Sequence, residues 1–427
     1  MNTSNDPLHG KKLADILDEL LDYYGGFEGL SHKIEIRCFC IDPSVKSSLR
    51  FLRTTPWARE KVESLYFRTY ALTDSKSTKI LYKVSVIRRI KHASTATCTL
   101  PIYMGFLMTE PNSISCTQLA ETYNISHDSV NRFLEREDYT PHDLYQEAIQ
   151  HIDNNKLIVS IDDTVLDKPY SQHMDLVSYF WSGKHHRSVK GINLITLYAT
   201  DQNGQNIPIN FRIYDKSESK TKNDYFMDML SEVLSWGAKI QFITGDSWYS
   251  STGNLKTIRK YGIRFMFGID CNRKVSPEKG QWFQLRLLPD FHQGQVVWLK
   301  DFGFVQLFKT QLKEQQRFYI VHQDEDDLLS FEGFHELHSS HWKIEQYHRV
   351  IKQVCHIEKF QVRRSKLILN HIFSALMAYV EIQKNQFERI FENVYRWQKK
   401  LFRPMIKNFI DDFILDKNHL LPQRIYK

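Results

Sequence analysis

The sequence predicts an α/β fold: a mixed sheet flanked by helices, carrying an inserted β-rich subdomain and preceded by small, mainly helical domains. Three observations predict it. Apolar runs of strand length alternate with helix-period segments between Lys156 and Asp270, short strands break that alternation over residues 275–330, and helical patterning dominates the chain before it. At 427 residues, 42% hydrophobic and 13% aromatic, the chain can bury two or three cores.

Residues 1–70 read as a small α+β module. LADILDELLDYYG is an amphipathic helix ending at Gly25-Gly26, KIEIRCF reads as a short strand, and PSVKSSLRFLRTTPWAREKVESLYFR supplies two more helices. Residues 71–103 follow neither period and are expected to form a linker. The sharp change near residue 70 suggests two coding sequences joined here, the second starting at Met104. Over residues 104–152 the segment SCTQLAETYNISHDSVNRFLE has a helix-turn-helix pattern, its second helix capped by Ser126 and offering His127, Asp128, Asn131 and Arg132 outward. The same pattern also serves elsewhere as a structural corner, so DNA contact through Asn131 and Arg132 is one of two readings.

The core is expected over residues 153–274 and 331–385. KLIVSID, GINLITLYAT and QNIPINFRIYD form three strands, the last two joined by a tight turn at Asn203-Gly204. A helix near residues 224–236, the strand KIQFITGD, a helix near 255–261 and the strand IRFMFGID complete the order β-β-β-α-β-α-β. QVVWLK, FGFVQLFK and RFYIVHQ then supply the inserted β subdomain, 275–330, before a long helix starts near Glu336; residues 386–427 read as a helical tail.

Basic residues outnumber acidic ones by 57 to 50, a net charge of +7. The distribution matters more than the total. Lys343, Arg349, Lys352, Lys359, Arg363, Arg364 and Lys366 face only Glu345 and Glu358 between residues 341 and 366, seven against two. That local excess suits a phosphate backbone, or else a solvated helix face. The six cysteines lack paired CxxC spacing, so neither a zinc knuckle nor a disulfide framework is indicated. No apolar run approaches the roughly 20 residues of a membrane span, and the polar start lacks a secretory core, so a soluble, cytoplasmic protein is expected.

Asp162 follows the apolar run Leu157–Ile161, and Asp246 follows Ile240, Phe242 and Ile243. Either alone is an ordinary turn residue. On adjacent strands their like charges would meet at a cost that a cation between them removes. A third acid comes from ELHSSHWKIEQYHRVIKQ, where His338, His341, Glu345, Arg349 and Lys352 follow steps of 3, 4, 4 and 3 along one helical face. Leu337, Ile344, Tyr347 and Ile351 form the other face, with His348 at the edge; Tyr347 also counts among the candidate DNA contacts. One carboxylate among several bases suits phosphodiester chemistry, in which two divalent ions activate a water or a 3′-hydroxyl and stabilise the leaving oxygen. Within the β insertion Trp298, ahead of Trp282, is a candidate platform for a flipped or unpaired base, with core packing as its other reading.

Two resemblances add to this reading. Through DPLHG, IRCF, DPSVKSSLRFLR and TPWAREKVESLY, the N-terminal module resembles a small bacterial family of stand-alone domains of unknown function for which DNA binding is expected. From about Met104 to Tyr379 the chain resembles the DDE transposases of bacterial insertion sequences, in the subgroup with a Tyr-x2-Arg-x3-Glu-x6-Lys signature. SIDDTVLDKPYS, VKGINLITLY, ITGDSWYSS and HWKIEQYHRVIKQ carry it, followed by FQVRRS and LNHIFSALMAY.

The resemblance implies an RNase-H-like fold and two ions per site, Mg²⁺ or Mn²⁺, held by Asp162, Asp246 and Glu345 as catalytic ligands. It also implies Lys352 as the phosphate-contacting lysine, double-stranded DNA (inverted-repeat ends and target) as partner, and a homodimer in the DNA complex. The signature's Tyr and Arg fall at His338 and His341, positions that grip the element's end in such enzymes, and Asp163 competes with Asp162 as first ligand. The Asp-x-Thr spacing favours Asp162, two before Thr164. Two alternatives remain: a metal-dependent nuclease without strand transfer, and a DNA-binding regulator with a decayed core. A zinc hydrolase is disfavoured because HELHSSH lacks the two-residue gap of HExxH.

Overall fold

The computed structural model describes residues 11–71, 97–388 and 393–410, apart from positions 25, 32, 35, 41–42, 111–114, 279, 290, 313–314, 323–326, 402, 404–406 and 408–409. Most of the expected linker, residues 72–96, and most of the expected C-terminal tail lie outside the described residues. The chain divides into two compact units, residues 1–88 and 89–427. Among the described residues no helix is long and apolar enough to cross a membrane.

In the first unit every described element is helical: α1 (Leu13–Tyr24), α2 (Phe27–Ser31), α3 (Arg37–Cys40), α4 (Val45–Thr54) and α5 (Pro56–Ala71). Ile16, Leu17 and Leu20 of α1 share a buried cluster with Leu30, Leu52, Val62 and Leu65. The expected strand KIEIRCF is not formed. Ile34, Ile36 and Phe39 enter the same cluster, but their N–H groups bond locally, Ile34 to the Leu30 carbonyl at 3.0 Å and Phe39 to that of Ile36 at 2.8 Å. A strand needs a neighbour for its backbone groups, and the described part of this unit offers none.

The second unit begins with α6 (Leu100–Thr109), α7 (Cys116–Tyr123), α8 (His127–Arg136) and α9 (Pro141–Ala148). Ser115 and Ser126 cap α7 and α8 with side-chain oxygens, and Asn124 turns the chain between them at φ 50°. The boundary expected at residue 104 is corrected, because Met104 sits inside α6. Cys98, Leu100 and Tyr103 before it are buried, and Tyr103 Oη lies 2.8 Å from His371 Nδ1 in the long C-terminal helix. Residues 97–103 thus belong to this unit's core. Asn370 binds the end of α8 to the same helix, its Nδ2 donating to the Leu134 and Glu137 carbonyls at 2.7 Å each.

Three antiparallel strands open the sheet: β1 (Leu157–Asp167), β3 (Arg187–Thr200) and β4 (Asn206–Tyr214). A short β2 (Ser178–Ser182), not anticipated from sequence, folds back on the start of β3. After α10 (Lys222–Ser235), β5 (Ile240–Gly245) lies parallel to β1; after α11 (Thr252–Lys260), β6 (Arg264–Ile269) lies parallel to β5. The order β4-β3-β1-β5-β6 is RNase-H-like.

The β-rich segment, expected as an inserted subdomain, continues the main sheet. β7 (Lys274–Ser276), β8 (Phe283–Gln284), β9 (Gln295–Leu299), β10 (Gly303–Leu312) and β11 (Gln315–His322) extend the same sheet, because β11 pairs antiparallel with β6. Across this sheet lie α12 (Phe331–Gln353) and α13 (Ser365–Phe387). The first turns of α12 pack Phe334 and Leu337 onto Phe242, Met266, Phe308 and Tyr319, and its later turns bury Ile344, Tyr347 and Ile351.

Candidate active site

β1 positions the first acid. Ile161 pairs with Gly245, the last residue of β5, while β1 runs on beside β3 to Asp167. Asp162 therefore lies in mid-strand rather than at the strand end its apolar approach suggested. It meets a cleft because β1 has lost its β5 neighbour at that level. The junction needs a glycine: a Cβ on Gly245 would stand 2.6 Å from the Phe267 ring and 2.7 Å from Ile161 Cγ2. Asp246 follows at once and caps the short turn Ser247–Tyr249, its Oδ1 accepting from the Trp248 N–H at 3.0 Å.

Glu345 enters from α12, and the ligand atoms of Asp162, Glu345 and His348 lie within 4.8 Å of one another. With Asp163, Asp246 and Lys352 they line a cleft of about 1230 Å³. Lys184, Lys216, Lys222 and Arg349 add positive charge to its walls. Tyr179, Trp181 and Trp248 line it too, and all three are exposed.

Burial holds the Asp162 carboxyl well above the usual range, reinforced by the charges of Asp246, Asp163 and Glu345. Asp246 is pushed up to about 6 by burial and then by Asp163, against the Trp248 and Tyr249 N–H groups that favour its ionised form. Carboxylates that raise one another in a poorly solvated cleft are the donor set a hard divalent cation neutralises, so these residues fit such an ion.

A pH-dependent stability follows. The Asp246 carboxyl, ordinarily at 3.8, sits near 6 in the fold, so its stabilising contribution is complete below about 3.8 and lost as pH rises through about 6. Adding a divalent cation is expected to raise the melting temperature little at pH 5 and by several degrees at pH 7.5. An ion at about 100 times its dissociation constant stabilises by roughly 2.7 kcal/mol. Thermal melts with and without Mg²⁺ at the two pH values check this; an equal shift at both would contradict it.

Asp163 is committed elsewhere: it accepts from Lys222 Nζ at 2.7 Å, Asn193 Nδ2 at 2.6 Å and the Tyr249 hydroxyl at 2.9 Å. Its own N–H donates to Asp162 Oδ1 at 2.8 Å, which orients that carboxylate. The polar stripe on α12 divides in two. His338 Nε2 meets the Tyr319 hydroxyl at 3.0 Å and His341 Nδ1 meets Thr244 Oγ1 at 3.1 Å, so both face the sheet. Burial lowers His341 to about 4, leaving it neutral. Glu345, Arg349 and Lys352 face the cleft, where Lys352 Nζ donates to the Val165 carbonyl at 2.7 Å.

Tyr347 is corrected from DNA contact to core residue, since it is fully buried and stacks on Tyr198 with ring centroids 4.8 Å apart. Arg132, with a side chain 70% exposed, and Asn131 stand on the outer side of α8 and do not line the cleft. Trp298, also outside it, packs edge-on against Phe304 at 4.7 Å in a groove of about 700 Å³ with Val296 and Leu328.

Sequence reasoning missed Lys222, Asn193 and Tyr249 as the holders of Asp163, and it missed the aromatic wall. The alternation in SYFWS, with Tyr179 and Trp181 exposed about a buried Phe180, was the available signal.

Residues 153–380, more than half of the chain, match the family described as transposase DDE domain. The chain belongs to the DDE transposase family. The family cleaves nucleic acid with divalent metal ions and acts on DNA. Residues 4–67 match the family described as DNA-binding protein VF530. No curated protein matches this transposase. Two solved structures of Marinitoga piezophila Argonaute show a weak likeness. The complex with 5′ OH guide RNA and target DNA is 9% identical over 57% of this chain and 32% of its own, with a TM-score of 0.20. The complex with guide RNA is 11% identical over 58% and 37%, also at 0.20. The chain thus spans about a third of the length of either structure.

Proposed function

We propose that this transposase binds the ends of an insertion sequence, cleaves the DNA there and joins the ends to target DNA, with Asp162, Asp246 and Glu345 holding two divalent ions, Mg²⁺ or Mn²⁺. The observation that carries this reading is the convergence of acids from β1, the end of β5 and α12 in one cleft walled by lysines, Arg349 and exposed aromatic rings. Bound ions supply an activated water or 3′-hydroxyl and stabilise the leaving oxygen.

The chain's own groups do the rest. Asp163, held by Lys222, Asn193 and Tyr249, fixes the outer half of β1 and with it the aim of Asp162. Arg349 and Lys352 take DNA phosphates; an ammonium has three donors, and the Val165 carbonyl occupies one on Lys352. Tyr179, Trp181 and Trp248 give bases a stacking surface beside the acids. Two ends require two such sites, so the active complex is a homodimer on DNA, in the cytoplasm. The assembled acids weigh against a regulator with a decayed core.

Recognition of the ends falls to α7 and α8. Replacing Asn131 and Arg132 by alanine is expected to weaken binding to the element's ends about tenfold or more, and binding to random DNA much less, because base contacts specify while phosphate contacts only position. Equal losses on both DNAs would reduce α8 to a backbone contact. The reading as a whole is tested by incubating the full chain and Mg²⁺ with DNA that carries the sequences flanking its own gene. Cuts at matching inverted repeats are expected, and uncut or randomly cut DNA would contradict it.

A further inference from the structure

His348 stands one turn beyond Glu345 on α12, so the two side chains leave the same face of the helix. Its side chain is only 8% exposed, and its Nε2 has no hydrogen-bond partner. Its Nδ1 is 3.6 Å from Asp162 Oδ2, too far for a hydrogen bond. Two atoms that ligate one ion at about 2.0–2.2 Å each stand roughly 3.0–3.5 Å apart, close to the distance seen. The ring nitrogen that faces Asp162 is thus placed to share an ion with it, while Nε2 stays buried without a partner.

We propose that His348 is a direct ligand of one of the two ions, sharing it with Asp162 and Glu345, while Asp246 serves the other. This rests on the carboxylate metal centre proposed above and adds a nitrogen donor to it. Imidazole favours ions that accept nitrogen, so the site should prefer Mn²⁺ or Co²⁺ to Mg²⁺ more strongly than an all-carboxylate site does.

The test uses the full chain made with natural and with ¹⁵N-labelled histidine, loaded with less than one equivalent of Mn²⁺ and examined by electron spin-echo envelope modulation. The expected spectrum carries modulation from a coordinated ¹⁴N imidazole, replaced by ¹⁵N lines on labelling. His348→Ala should lose that modulation while still binding Mn²⁺, with its preference for Mn²⁺ over Mg²⁺ reduced about tenfold. Bound Mn²⁺ with no label-sensitive nitrogen signal in the wild type would overturn the assignment of His348 alone, whatever the variant's folding. A signal that persists in His348→Ala would assign the nitrogen to another residue. Failure of the wild type to bind Mn²⁺ at all would instead overturn the carboxylate metal centre.

Discussion

Replacing Asp162, Asp246 or Glu345 by alanine is expected to lower metal-dependent DNA cleavage by about a thousandfold or more, and Asp162→Ala to do so without lowering the melting temperature of the metal-free protein. The first effect follows from the chemistry: removing one ligand disturbs both the position of an ion and the charge it presents to the leaving oxygen, and such electrostatic preorganisation is the largest single term in many active sites. The second follows from the electrostatics of the cleft. Burial and three neighbouring acids hold the Asp162 carboxyl well above the usual range, so its removal relieves repulsion rather than breaking a stabilising pair. Cleavage rates with Mg²⁺, measured beside thermal melts in chelator, separate the two. A variant that unfolds would show that the acid is structural, and one that keeps its rate that it holds no catalytic ion.

Asp163→Ala should behave in the opposite way. Its carboxylate pairs with Lys222 in a contact where the side chains are 15% and 17% exposed, and it also satisfies Asn193 and Tyr249. Removing one partner of a buried pair strands the other, at a cost of roughly 3–5 kcal/mol, of which relief of the repulsion with Asp246 offsets a part. A large fall in denaturant midpoint is therefore expected, with the number of ions bound unchanged in the folded fraction. Loss of an ion with undiminished stability would exchange the roles of Asp162 and Asp163.

The two aspartates were legible in the sequence because a strand-length apolar run ending in Asp is a local pattern. Glu345 stood out on the helical face it shares with Arg349 and Lys352, and the resemblance singled it out from that stripe. What lay beyond reach was pairing. Nothing local says that β11 will bond to β6, so the insertion looked like a separate subdomain although it continues the sheet. The same limit explains α12. Helical spacing places His338, His341 and Glu345 on one stripe, but which neighbour covers each turn depends on the sheet beneath. Tyr319 of β11 and Thr244 of β5 cover the first two, and the cleft opens only at Glu345. KIEIRCF misled for a related reason: Ile34 and Ile36 alternate as in a strand, yet with no neighbouring strand among the described residues they bury the same side chains through a turn into α3.

The most direct measurement is joining. Labelled DNA fragments ending in the element's inverted repeats, a supercoiled target plasmid and the full chain should give, with Mg²⁺, a product in which the labelled 3′ end is covalently attached to plasmid DNA. Chelator or Glu345→Ala should abolish it. Joined product that persists under either condition would contradict catalysis by metal ions held at Asp162, Asp246 and Glu345, and cleaved ends that are never joined would make the enzyme a nuclease.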